Sequence, residues 1–207
     1  MGIFVNLPKN GDKEKDFQVN WGKLFGLQVE MRPPFLPAEW YEQSGVQLTW
    51  PHADTDWAHI LTEVQECFTA IAREIAKKEL LLIVAPDIEV VKEQITNKVN
   101  MENVRFFECQ SNDTWARDHG AITLIDSSTP RLLDFCFNGW GQKFAAGLDN
   151  QITRKAYDAK CFKAEYENHL DFVLEGGSIE SDGFGTLLTT STCLLAPNRN
   201  DAMNRVK

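Results

Sequence analysis

The chain has 207 residues, a formal net charge of -9 from 21 Lys+Arg against 30 Asp+Glu, and 43% hydrophobic residues. A chain of this size buries roughly 70% of the surface its unfolded form exposes, enough for a core without disulfide or metal staples, and its composition excludes disorder over most of its length. The acidic balance and the scatter of basic residues, with no Lys/Arg run, disfavour nucleic acid and suit a cationic partner.

Residues 1–30 mix charge with glycines and read as an extension of separate character; Met31, followed by Arg32-Pro33-Pro34-Phe35-Leu36-Pro37, reads as a second beginning and the natural start. The prolines forbid helix and favour an extended lead-in. Val46 to Trp50 alternates apolar and polar up to Pro51, the mark of a strand. After the loop His52–Trp57, Asp54 or Thr55 is expected to cap a helix on which Ile60, Leu61, Val64, Phe68, Ile71, Ala72 and Ile75 recur at helical spacing. Leu80 to Val84 predicts a buried strand, about Asp87 to Lys98 a second helix, and Val104 to Cys109 a third strand. Ala121–Ile125 and Leu132–Phe137 continue as strands, and Asn138-Gly139-Trp140-Gly141 is a loop whose glycines permit unusual backbone angles. Residues 149–168 read as helix with loop, and Phe172–Leu174 as a strand. Ser178–Glu180, Gly185–Thr190 and Cys193–Ala196 close the chain as short strands, with Cys193 an inert buried thiol. The order predicts a mixed α/β (α+β) fold.

Five cysteines, Cys67, Cys109, Cys136, Cys161 and Cys193, form no Cys-x-x-Cys pair and have no His at ligand spacing, so neither a zinc site nor a disulfide framework is expected. The longest apolar run, Leu80 to Pro86, is too short for a bilayer, and Lys9, Asp12, Lys13, Glu14 and Lys15 stand where a signal peptide needs apolar residues. A cytoplasmic protein is the expectation.

Three clusters could carry chemistry. In Asn112-Asp113-Thr114-Trp115-Ala116-Arg117-Asp118-His119-Gly120, Asp118 can accept N–H bonds from a guanidinium while the Trp115 indole packs on its face. Such a charge-assisted bond contributes about 1.5 to 3 kcal/mol. Spacing equally permits an Arg117/Asp118 surface ion pair with Trp115 as filler. In Leu174-Glu175-Gly176-Gly177-Ser178-Ile179, a carboxylate leaves an apolar strand and demands a partner, while Gly176 and Gly177 allow a close approach; an ordinary turn is the plainer reading. Trp140, between glycines, could wall a pocket or plug a sheet end. His169-Leu170-Asp171 is read as a solvated lead-in to the following strand rather than a catalytic pair, and His52 and His59 as surface or helix-end groups.

These clusters, with Pro37-Ala38-Glu39-Trp40, Gly45-Val46-Gln47-Leu48-Thr49-Trp50-Pro51 and Asp182-Gly183-Phe184-Gly185-Thr186-Leu187-Leu188-Thr189-Thr190, occur in the order seen in agmatine deiminases and bacterial (Porphyromonas-type) peptidylarginine deiminases. From about Met31 onward the chain resembles that family. The resemblance implies a pentein-type αβ propeller of ββαβ modules and cofactor-free hydrolysis of a guanidinium to a ureido group with release of ammonia. Asp118 matches the family's anchoring Asp, Trp115 its neighbouring wall, and Glu175 the carboxylate that supports the catalytic His in related enzymes. The family's nucleophile, in a Gly-Gly-x-Ile-His-Cys-like motif, and its His-x-Asp pair lie nearer the C-terminus and are not matched here, so residues 31–207 read as the N-terminal, incomplete part of a deiminase domain. Agmatine, converted to N-carbamoylputrescine on the way to putrescine, is the expected substrate of the complete enzyme. Peptidyl-arginine is the alternative substrate, and a non-catalytic guanidinium-binding module or a remnant that binds nothing are further alternatives. Many such enzymes form homo-oligomers, yet this sequence discloses no interface.

Overall fold

The computed structural model describes residues 33–126 and 129–200. The extension at residues 1–30 and the second beginning at Met31 lie outside them.

Strands β1 (Gly45–Thr49), β2 (Leu80–Ala85) and β3 (Val104–Glu108) form a parallel sheet in that order, with Gly45 opposite Leu80 and Leu81 opposite Val104. Helices α1 (Leu61–Ala76) and α2 (Ile88–Ile95) make the crossovers. Period-two alternation divides β2 between two cores. Leu81, Ile83 and Ala85 meet Ala72 and Ala76 of α1 and Val91 and Ile95 of α2, while Leu80, Leu82 and Val84 face away toward the second half of the chain.

That second half contains β4 (Ile122–Leu124), antiparallel to β5 (Arg131–Cys136), then α4 (Ile152–Asp158), then β6 (Glu165–Val173), parallel to β5. A one-turn helix, α3 (Ala116–His119), links the two sheets. The hairpin β7 (Ile179–Ser181) and β8 (Leu187–Thr189) is followed by α5 (Ser191–Leu195). The fold is mixed α/β, as expected. The proline-rich lead-in pairs with this half through Phe35, whose N–H and C=O both bond Ile125.

Four local expectations need correction. Neither Asp54 nor Thr55 caps α1: the Thr55 hydroxyl donates to the His52 carbonyl at 2.8 Å, a 3-10 turn over Ala58–Ile60 intervenes, and Ile60 stands at the N-cap without a side-chain bond. His169 and Asp171 belong to β6, which begins at Glu165. This edge strand tolerates charge because Glu167 bonds Arg131 on the neighbouring strand at 2.6 Å. Cys193–Ala196 is no strand: the Thr190 hydroxyl accepts from Cys193 N–H at 3.1 Å and starts α5, leaving Cys193 half-buried. Residues 149–168 divide into a 3-10 turn, α4 and the first residues of β6. No helix among the described residues is long and apolar enough to cross a membrane.

Candidate guanidinium site

The segment between β3 and β4 carries the first cluster and is fixed by a carboxylate far away in sequence. Asp149, 1% exposed, accepts from Asn112 N–H at 2.7 Å and Asp113 N–H at 3.3 Å, and the Asn112 side chain accepts from Leu148 N–H at 2.8 Å. Burial pushes the Asp149 carboxyl up to about 6. Further along, Thr114 accepts from the Trp57 indole at 3.0 Å. Trp115 begins α3, and His119 at its end is buried against Thr49 at 3.2 Å, with burial driving its pKa down to about 4. This neutral imidazole is structural.

Asp118, on the same turn as Trp115, is half-buried. It is not the partner of Arg117: the Arg117 guanidinium reaches Glu39, with Nη1 3.2 Å from Oε2 and Nη2 against Oε1. This removes the surface-pair reading of Arg117 and Asp118. Burial first, and the neighbouring Glu175 charge second, push the Asp118 carboxyl above the usual range, against the Gly177 N–H and the Arg117 charge, which act in the opposite direction.

The need for two glycines after Glu175 follows from this approach. A Cβ on Gly176 would overlap the Arg117 carbonyl, and one on Gly177 would overlap Asp118 Oδ1. The chain after β6 therefore lies directly against α3, close enough for the Glu175 charge to act on Asp118. Glu175 is 3% exposed, and its Oε1 accepts from Arg199 Nε at 2.8 Å. Removing one partner of such a buried pair costs about 3 to 5 kcal/mol.

Trp140 joins the same region. Gly139, Trp140, Gly141 and Gln142 all have positive φ (65°, 57°, 88° and 65°), a left-handed turn in which the non-glycine residues cost about 1 to 2 kcal/mol each. The Asn138 side chain offsets part of this by accepting from Gly141 N–H at 2.8 Å. The turn aims the Trp140 ring edge-on at Trp115, with centroids 5.4 Å apart, and at Phe137, 5.1 Å. Trp57 packs on Trp115 at 6.1 Å. The structure thus brings together all six residues marked by sequence: Trp115, Asp118, Trp140, Glu175, Gly176 and Gly177. Sequence reasoning missed Arg199, Asp149 and Glu39, whose roles depend on contacts 24 to 78 residues away. For Arg199 the nearest signal was Glu175, a carboxylate leaving an apolar strand in want of a partner; Asp149 meets only backbone N–H groups and had no such signal.

The histidines set aside by sequence have other work. His52 bonds the Ser111 hydroxyl at 3.0 Å, and burial lowers its pKa. His59 meets the Asp56 carbonyl at 3.2 Å. His169 stacks on Phe135 and contacts Glu167 at 3.3 Å rather than pairing with Asp171. All five cysteines are free thiols, and burial raises the pKa of Cys109, Cys136 and Cys161. No group of three or more His, Cys, Asp and Glu side chains converges as a metal site among the described residues.

Residues 35–207 match the profile of a family described as Porphyromonas-type peptidyl-arginine deiminase. The agmatine deiminase of Pseudomonas aeruginosa is 36% identical over 179 residues, covering 83% of this chain and 47% of that protein. Among solved structures, a cysteine-to-serine variant of C. jejuni agmatine deiminase with substrate bound superposes with a TM-score of 0.74 at 38% identity, over 84% of this chain and 50% of the other. A Porphyromonas gingivalis protein provisionally described as an arginine deiminase gives 0.72 at 47% identity, over 81% and 50%. The chain spans about half the length of the curated relatives it matches.

Proposed function

The chain belongs to the Porphyromonas-type peptidyl-arginine deiminase family, and from that premise we propose that it builds the carboxylate side of a site for guanidinium hydrolysis. The carrying observation is the half-buried Asp118, pressed against Gly177, backed by the Glu175 charge and adjoined by the Trp115–Trp140 pair. A guanidinium is planar and cationic, so one carboxylate can take two of its N–H groups while an indole covers its face. Asp118 is the anchor, Trp115 and Trp140 form the wall, and Glu175 supplies supporting charge.

In the reaction a thiolate adds to the guanidinium carbon, the C–N bond to the departing nitrogen breaks, and ammonia leaves after proton transfer. Water then displaces the thiol to give the ureido group. Cys109, Cys136 and Cys161, the first buried and the other two half-buried, have raised pKa values and are poor nucleophiles, and no cysteine of this sequence lies in a Gly-Gly-x-Ile-His-Cys-like motif. On this reading the 207 residues bind a guanidinium without turning it over. In the pentein reading, β4-β5-α4-β6 is one ββαβ module, and β7-β8-α5 repeats the first three elements of that order.

Agmatine is the proposed ligand, supported by relatives named agmatine deiminase; a peptidyl-arginine substrate is favoured by the family's description and by a similar solved structure provisionally described as a peptidyl-arginine deiminase. Calorimetric titration tests this. Agmatine should bind more tightly than a blocked arginine peptide, Asp118→Asn should weaken it by about ten- to a hundredfold, and no ammonia should appear. A cooperatively folded chain that takes up neither ligand would overturn the reading; tighter binding of the peptide would reassign the substrate.

A further inference from the structure

One carboxylate of the site already holds a guanidinium, and it belongs to this chain. Arg199 Nε donates to Glu175 Oε1 at 2.8 Å, with the two side chains 10% and 3% exposed. The residues flanking Arg199 tie its segment to the rest of the site. The Asn198 carbonyl accepts from Asn138 Nδ2 at 2.7 Å, beneath the turn that carries Trp140. Asn200 exchanges two bonds with Val173, Oδ1 accepting from its N–H and Nδ2 donating to its carbonyl, both at 2.9 Å, at the end of the strand that leads into Glu175. A Cβ on Gly141 would stand only 3.7 Å from Asn198 Cβ and 3.9 Å from Arg199 Nη1. Residues 198–200 therefore touch the aromatic turn, the strand exit and the carboxylate at once.

We propose that Arg199 is a positioning residue that occupies Glu175 with an internal guanidinium, so that a guanidinium ligand is anchored by Asp118 and meets Glu175 only as a nearby negative charge. A guanidinium that took both oxygens of Glu175 would have to compete with Arg199 at Oε1 and leave a buried cation without that partner. With Arg199 seated, Glu175 is held still in a dry environment beside Asp118. The assignment of the ligand to Asp118 rests on the deiminase reading; the internal pairing of Arg199 does not.

Two measurements on the 207-residue chain separate these parts. In thermal unfolding, millimolar guanidinium chloride, compared with equal sodium chloride, should raise the Tm of Arg199→Ala by refilling the vacated slot. It should raise the Tm of wild type and of the double variant Arg199→Ala/Glu175→Gln by less, through the Asp118 anchor alone, while Arg199→Lys stays closer to wild type than Arg199→Ala. In agmatine titrations, Glu175→Gln should cost about threefold or less, as expected for an unbonded neighbouring charge, where Asp118→Asn costs about tenfold or more. Arg199→Ala that folds cooperatively yet gains no more from guanidinium than wild type would overturn the internal pairing. Equal losses for Glu175→Gln and Asp118→Asn would overturn the division of labour. If Arg199→Ala does not fold, the Arg199→Lys and Glu175→Gln arms still decide. If wild type binds no agmatine, the deiminase reading falls, while guanidinium rescue continues to test Arg199.

Discussion

Asp149 shows how much of a site can depend on one side chain that never faces the ligand. Its carboxylate holds the backbone of Asn112 and Asp113, and through them the path to Trp115 and Asp118. A carboxyl whose folded pKa lies above its unfolded value stabilises the fold only while protonated. Its contribution is full below about pH 4 and is lost as pH rises through about 6. Asp149→Asn keeps an acceptor for the same N–H groups and removes the titration. Relative to wild type, the variant should therefore gain stability by about 2 to 3 kcal/mol between pH 4 and pH 8. Urea unfolding at several pH values measures this, and a constant difference would show that Asp149 does not titrate with folding. Asp118 and Glu175 were legible because carboxylates beside Trp and Gly-Gly advertise a use, whereas Asp149 resembles any acid at a helix start until the chain folds over it. Arg199 was hidden for the same reason, since its meaning lies in a carboxylate 24 residues earlier.

The elements were most legible where burial imposes a period. β2, buried along its whole length, and α1, with its apolar face on the sheet, stand where their patterns put them. Edges and caps were less so. β6 carries polar residues because it is an edge strand, and its register shifts between Phe135 and Cys136, so alternation fails there. The start of α1 was misread because Thr55 bonds its own loop, leaving the N-cap to Ile60, 38% exposed, with Glu63 three residues on. By contrast, Asp87 caps α2 by accepting from Glu89 and Val90 N–H at 3.0 and 3.2 Å. Ile60→Ser should supply the missing N-cap acceptor and stabilise the protein by about 0.5 to 1 kcal/mol. An unchanged urea midpoint would mean that the preceding 3-10 turn already satisfies the free N–H groups.

At the scale of the whole molecule, the site depends on how the two sheets share a core. Leu80, Leu82 and Val84 of β2 pack with Leu132 of β5 and Ile152 and Ala156 of α4, and the same cluster contains Cys109 and Ala121, one just before and one just after the loop that bears Trp115 and Asp118. The other cluster, to which Ile95 of α2 belongs, contains no residue of that loop. Leu132 and Ile95 are both fully buried, so truncating either to Ala should destabilise the fold by about 2 to 5 kcal/mol. Their effects on ligand should differ. Leu132→Ala loosens the cluster that holds the loop ends and should weaken agmatine binding by about three- to tenfold at a temperature where the protein remains folded, a cost of misplaced rather than missing contacts. Ile95→Ala should leave binding unchanged at the same loss of stability. Calorimetry paired with urea unfolding makes the comparison, and equal effects on binding would show that the loop keeps its geometry through Asp149 and Gly177 without help from the shared core.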